Sequence, residues 1–133
     1  MRLPAALLVM ASLAGCTATA PQPRTVQAQQ ELDRYLSGRV AGKAQRCLSN
    51  YRADNMIIID QDTVLFRDGA RVWRSESPGG CPGLRRSNNA IVTRQFGSGG
   101  LCGGEPFQLI DTSSNIYGGS CSFGDFVPFT RPR

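Results

Sequence analysis

The sequence predicts a mainly β fold: a small antiparallel β-sandwich or barrel of six to seven short strands, one short N-terminal helix and two disulfides. Three observations predict it. From Arg46 onward, apolar residues recur with a period of two, in short runs broken by turn residues. Four cysteines are spread through that same stretch. The 133-residue length allows one small domain, too small to rely on a large apolar core alone.

The elements follow in order. Gln27 to Leu36 reads as a helix, because Ala28, Leu32, Tyr35 and Leu36 fall on one face, and Gly38 and Gly42 end it. Met56-Ile57-Ile58-Ile59 is a buried-strand run, and Asp60-Gln61-Asp62 a turn. Thr63 to Arg67 and Arg71 to Ser75 form a hairpin around Asp68-Gly69, a turn pair that tolerates positive φ. Two registers are open there. A two-residue loop puts Val64, Phe66 and Trp73 on one face, and a three-residue loop pairs Phe66 with Val72. Ala90 to Phe96, Phe107 to Asp111, Ile116 to Ser122 and Phe126 to Phe129 complete the strands. The late aromatics Tyr117, Phe123, Phe126 and Phe129 are expected to fill the core.

Residues 1–15 read as a lipoprotein export signal. Arg2 is the charged start, Leu3 to Leu13 a short apolar run, and Leu13-Ala14-Gly15-Cys16 a lipobox ending in the cysteine that takes the lipid. The run is too short to span a membrane as a helix. Thr17, rather than an acidic residue, follows Cys16, which favours the outer membrane, with the domain facing the periplasm. Residues 16–30 are expected to be lipidated cysteine and flexible tether, and residues 31–133 the helix and the disulfide-bonded domain. Loss of the signal removes Arg2 and leaves 14 basic against ten acidic side chains, a net charge of +4.

Export places Cys47, Cys81, Cys102 and Cys121 in an oxidising compartment, where an even number in a small domain means disulfides. Three pairings are possible. The nested one, Cys47–Cys121 with Cys81–Cys102, is expected because the first and last strands of a closed β-structure often meet. The chain has no CxxC pair and no His, which argues against zinc ribbons, Ser-His-Asp triads and Cys-His pairs. Gly79-Gly80-Cys81-Pro82-Gly83 matches a nucleophile elbow in letters only, since Pro82 and Gly83 oppose the following helix and no histidine base exists. The glycine run Gly97 to Gly104 lacks the Lys-Ser/Thr ending of a phosphate loop. Asp60 and Asp62 are spaced as in a calcium loop, but Val64 sits at the next ligand position. The other candidates for a catalytic carboxylate pair, Asp54, Asp68, Glu105, Asp111 and Asp125, fall mostly in turns. No metal, no cofactor and no catalytic residue is expected, and the protein is read as a non-enzymatic structural or protein-interaction module.

Arginine supplies 14 of the 15 basic residues. Arg67, Arg71 and Arg74 surround one hairpin, and Arg85 and Arg86 lie in the Cys81 loop. A guanidinium fork binds carboxylate or phosphate bidentately. These five are the candidate binding residues for an anionic envelope polymer, peptidoglycan or lipopolysaccharide. Two other roles stay open, contact with another envelope protein and inhibition of a periplasmic hydrolase. Nucleic acid is excluded by compartment.

An ordered series runs from Arg46-Cys47-Leu48, through Ile59-Asp60, Thr63 to Arg67 and Cys81-Pro82-Gly83-Leu84, to Leu101-Cys102-Gly103-Gly104-Glu105 and Cys121 to Pro128. It resembles a family of small Gram-negative exported proteins and lipoproteins that carry a four-cysteine domain of unknown function. The resemblance covers about residues 44–129, with Glu105 where Asp is more usual. It implies an exported, disulfide-bonded domain and carries no activity with it.

Overall fold

A computed structural model describes residues 23–49, 55–94 and 100–133. The chain is mainly β, antiparallel throughout, with one helix and two disulfides. Helix α1 spans Val26–Leu36. Ten strands follow among the described residues: β1 Val40–Ala41, β2 Cys47–Leu48, β3 Met56–Ile58, β4 Thr63–Asp68, β5 Arg71–Glu76, β6 Asn89–Thr93, β7 Leu101–Cys102, β8 Pro106–Asp111, β9 Ile116–Ser122 and β10 Phe126–Thr130. The excess over the expected six or seven comes from β1, β2 and β7. Two residues are too few to show a period, so only their partners reveal them.

The centre is a five-stranded sheet in the order β1-β10-β5-β4-β3. A three-stranded sheet, β6-β8-β9, and a two-stranded ladder, β2-β7, make up the rest. In the β4–β5 hairpin Phe66 lies opposite Trp73 and Asp68 opposite Arg71. The loop is therefore Gly69 and Ala70, the two-residue alternative, and only Gly69 has positive φ. That matches a turn needing glycine at its first central position alone.

Strand alternation divides the apolar residues of the central sheet between two layers. One face carries Ile57, Ile59, Leu65, Val72, Val127 and Phe129 against Ala28, Leu32, Tyr35 and Leu36 of α1. The other carries Met56, Ile58, Val64, Phe66, Trp73 and Phe126 against Leu84, Leu101, Phe107, Leu109 and Phe123. The helix thus covers one face of the central sheet and the small sheets cover the other, which adds a helical layer to the expected antiparallel β fold. Phe123 stands at the middle of the second core, with its ring 4.5 Å from that of Phe107 and 5.9 Å from that of Phe66. Phe123, Phe126 and Phe129 fill cores as expected, whereas Tyr117 does not: it is 56% exposed on β9.

The disulfides are interleaved rather than nested, Cys47–Cys102 and Cys81–Cys121. Cys47 lies directly across the β2–β7 ladder from Cys102. Cys81, fully buried in the loop after β5, reaches Cys121 on β9. The nested expectation fails because the last strand is not where Cys121 sits. The chain ends on β10 inside the central sheet, while Cys121 belongs to the small sheet packed across it.

Ordered packing also starts earlier than residue 31. Thr25 caps α1 by accepting from the Ala28 amide at 3.2 Å, and Ala28 is buried. The lipobox with Cys16, tether residues 17–22, Asp54 and Gly97-Ser98-Gly99 lie outside the described residues.

Candidate functional site

A groove of about 720 Å³ opens where the N-terminus of α1 meets the β3–β4 turn and the Cys81 loop. Pro23 to Thr25 and Ala28 form one wall, Asp60 to Asp62 the second, and Gly83, Arg85 and Arg86 the third.

The Asp60–Asp62 turn is fixed by its own side chain. One Asp60 carboxylate oxygen accepts the amides of Asp62 and Thr63, each at 2.8 Å. The other accepts Arg24 Nε at 2.5 Å, and Arg24 Nη2 also donates to Thr63 Oγ1 at 2.6 Å. Arg24 thus straps the segment before α1 onto the start of β4. The turn is held from the far side as well: the Ser77 amide donates to the Asp62 carbonyl and the Cys81 amide to the Gln61 carbonyl, both at 2.7 Å. Burial alone would raise the Asp60 pKa, but the Arg24 hydrogen bond, the turn amides and the Arg24 charge outweigh it and hold the carboxyl below its usual range. Asp62 is shifted the other way. Burial raises it first, then the negative charges of Asp60 and Glu76, against a partial pull from Arg24.

Two carboxylates in one groove with opposite shifts is a pattern that can mark an acid–base pair. Here Asp60 is already occupied by one guanidinium and two amides, so it has little basicity left for proton transfer. Asp62 makes no side-chain hydrogen bond to the described residues. Its Oδ1 lies against Gly80, where φ is +76° and an added Cβ would collide with it. No cluster of three metal-ligating side chains occurs among the described residues.

The five arginines singled out from the sequence do not form one patch. Arg67 and Arg74 lie on the helix side of the central sheet, opposite Val72 and Leu65, while Arg71 lies on the other side with Trp73. Arg71 stacks over the Trp73 ring at 5.3 Å, and Arg74 over Phe129 at 5.2 Å with Nε 3.5 Å from Glu76. Arg85 donates to the Ile59 carbonyl and pairs with Glu31 at 2.9 Å. Arg67, exposed near the hairpin tip, and Arg86, exposed at the groove, have no partner among the described residues. They sit toward opposite ends of β4, a strand about 20 Å long.

Arg24 was missed because its segment reads as polar tether. The usable signal was Thr25, an N-cap residue type at the head of the helical period. Asp60 and Asp62 were noticed, but their shared groove depends on two loops that no local pattern joins.

A second feature is strand β9. It ends the order β6-β8-β9, so one of its edges pairs with no described strand. Ile116 and Tyr117 on it are 63% and 56% exposed. Beside them a smaller hollow of about 260 Å³ runs between the Cys81 loop and the β8–β9 turn. No helix among the described residues is long and apolar enough to cross a membrane. Comparison of the chain with family models, with curated proteins and with solved structures finds no match.

Proposed function

We propose that this is an envelope lipoprotein, anchored through Cys16 in the outer membrane, whose domain is a non-enzymatic interaction module facing the periplasm. The observation that carries the interaction reading is the free edge of β9. A seven-residue strand with one edge that pairs with no other strand among the described residues, engaged only at Ser122 by the Ser77 hydroxyl, and with two exposed large apolar side chains accepts an extended segment of a partner by strand addition. The partner is another envelope protein that offers an extended apolar stretch. The dispersal of the arginines weighs against a polyanion binder, since three of the five are engaged within the chain.

The test uses the full-length protein in its membrane. A photo-crosslinking residue in place of Tyr117 is expected to trap one discrete protein, and the same residue in place of exposed Arg34 on α1 is not. Identical patterns at both positions, or none at either, would overturn the reading. Cys16→Ser is expected to move the protein from the membrane to the soluble periplasmic fraction, and unchanged membrane association would overturn the anchor.

A further inference from the structure

We infer that the groove between α1, the Asp60–Asp62 turn and the Cys81 loop binds a short peptide with free termini, its ammonium at Asp62 and its carboxylate at Arg86. The proposal does not rest on strand addition at β9, although Arg86 also borders the hollow beside Ile116 and Tyr117.

The charges in the groove point to this class. Arg24 is paired with Asp60, and Arg85 with Glu31. That leaves one carboxylate, Asp62, and one guanidinium, Arg86, without partners among the described residues. Both line the same groove and lie over the same loop. Asp62 Oδ1 abuts Gly80, and Arg86 Nε would stand 3.7 Å from a Cβ at Gly83. A polyanion entering here meets Asp60 and Asp62, and a cation meets three arginines. A molecule with one charge of each sign meets both vacant groups and disturbs neither existing pair.

The walls fit the rest of such a ligand. Pro23 and Gly83 give low apolar surfaces, and Gln61 adds a neutral side chain able to meet a peptide group. The volume, about 720 Å³, lies within the usual ligand-cleft range of roughly 300–1,000 Å³ and exceeds what one amino acid needs. Burial and neighbouring negative charge make an unpaired Asp62 carboxylate unfavourable, and an ammonium beside it relieves that cost.

The test is calorimetric titration of the full oxidised chain in detergent with three probes: trialanine, N-acetyl-trialanine and trialanine amide. Trialanine is expected to bind, with each blocked form about fivefold weaker, the size of one partly solvated ion pair. Asp62→Asn is expected to abolish the preference over the acetylated form while keeping the preference over the amide. Arg86→Gln is expected to do the reverse. Neither side chain has a hydrogen bond to lose among the described residues, so both variants should fold. No trialanine binding at millimolar concentration, equal binding of all three probes, or preferences unchanged in both variants would overturn the proposal.

Discussion

On one face of the central sheet a single eleven-residue helix covers Ile59, Leu65, Val72 and Phe129; on the other, two small sheets cover Val64, Phe66, Trp73 and Phe126. The helix side is held by an apolar stripe, the Thr25 cap and the Arg24 strap to Asp60 and Thr63. Every contact there is non-covalent. The other side brings together chain segments distant in sequence and is closed by both disulfides, which span 55 and 40 residues. The difference follows from contact distance along the chain. A helix forms locally and needs only a stripe to dock, whereas short strands drawn from separate loops must overcome loop-closure entropy before they pair.

The largest expected effect breaks the covalent side. Cys81→Ala with Cys121→Ala removes a 40-residue cross-link, worth about 4 kcal/mol on the loop-entropy estimate. That is comparable to the whole stability of a small domain. Urea unfolding followed by Trp73 fluorescence is expected to show loss of the folded baseline or a midpoint near zero denaturant. A midpoint close to wild type would mean that the small sheets hold without the bridge.

On the helix side, Leu32→Ala is expected to cost about 3 kcal/mol, because Leu32 is 3% exposed and its removal leaves a cavity. Hydrogen exchange should rise in α1 while β4 and β5 stay protected. Equal loss of protection in both would show that the two faces unfold as one unit, against the distinction drawn above.

A smaller effect sharpens the account of the strap. Asp60→Asn is expected to cost about 1–2 kcal/mol at neutral pH, the loss of charge-assisted hydrogen bonds. The folded-state pKa of Asp60 is depressed, so its contribution is present above the unfolded carboxylate pKa and fades as pH falls through the lower folded value. The gap between wild-type and variant melting temperatures should therefore narrow as pH falls from 7 toward 2. A constant gap between them would assign the loss to something other than the carboxylate charge.

The smallest expected effect is that of Thr25→Ala, about 1 kcal/mol through the lost N-cap. It should appear as fraying of the first turn of α1 by hydrogen exchange. An unchanged melt would leave Arg24 as the main tie of that segment.

How far each part was legible follows from the range of the forces involved. The β4–β5 hairpin, β8 and β9 are long enough to display alternation, and α1 long enough to display its stripe, so period alone located them. The hairpin register needed more, because both loop lengths agree with the local pattern; burying Phe66 beside Trp73 on one face decided it. At the candidate site, Arg85, Arg86, Asp60 and Asp62 were each visible as residue types, but Arg24 was not. Which arginines remain free was not visible either, since pairing depends on loops that meet only in the folded chain.

Local composition and periodicity by themselves determined a mainly β, antiparallel, two-disulfide domain led by a short helix, because alternation, helical stripes and turn residues act over a few neighbours. Tertiary structure alone decided the three-layer stacking, the two-residue strands, the interleaved cystines, the exposure of Tyr117 and the groove at Asp62 and Arg86. Each of these depends on which distant segments share a surface, and that choice is made by the burial of two whole cores rather than by any single stretch of chain.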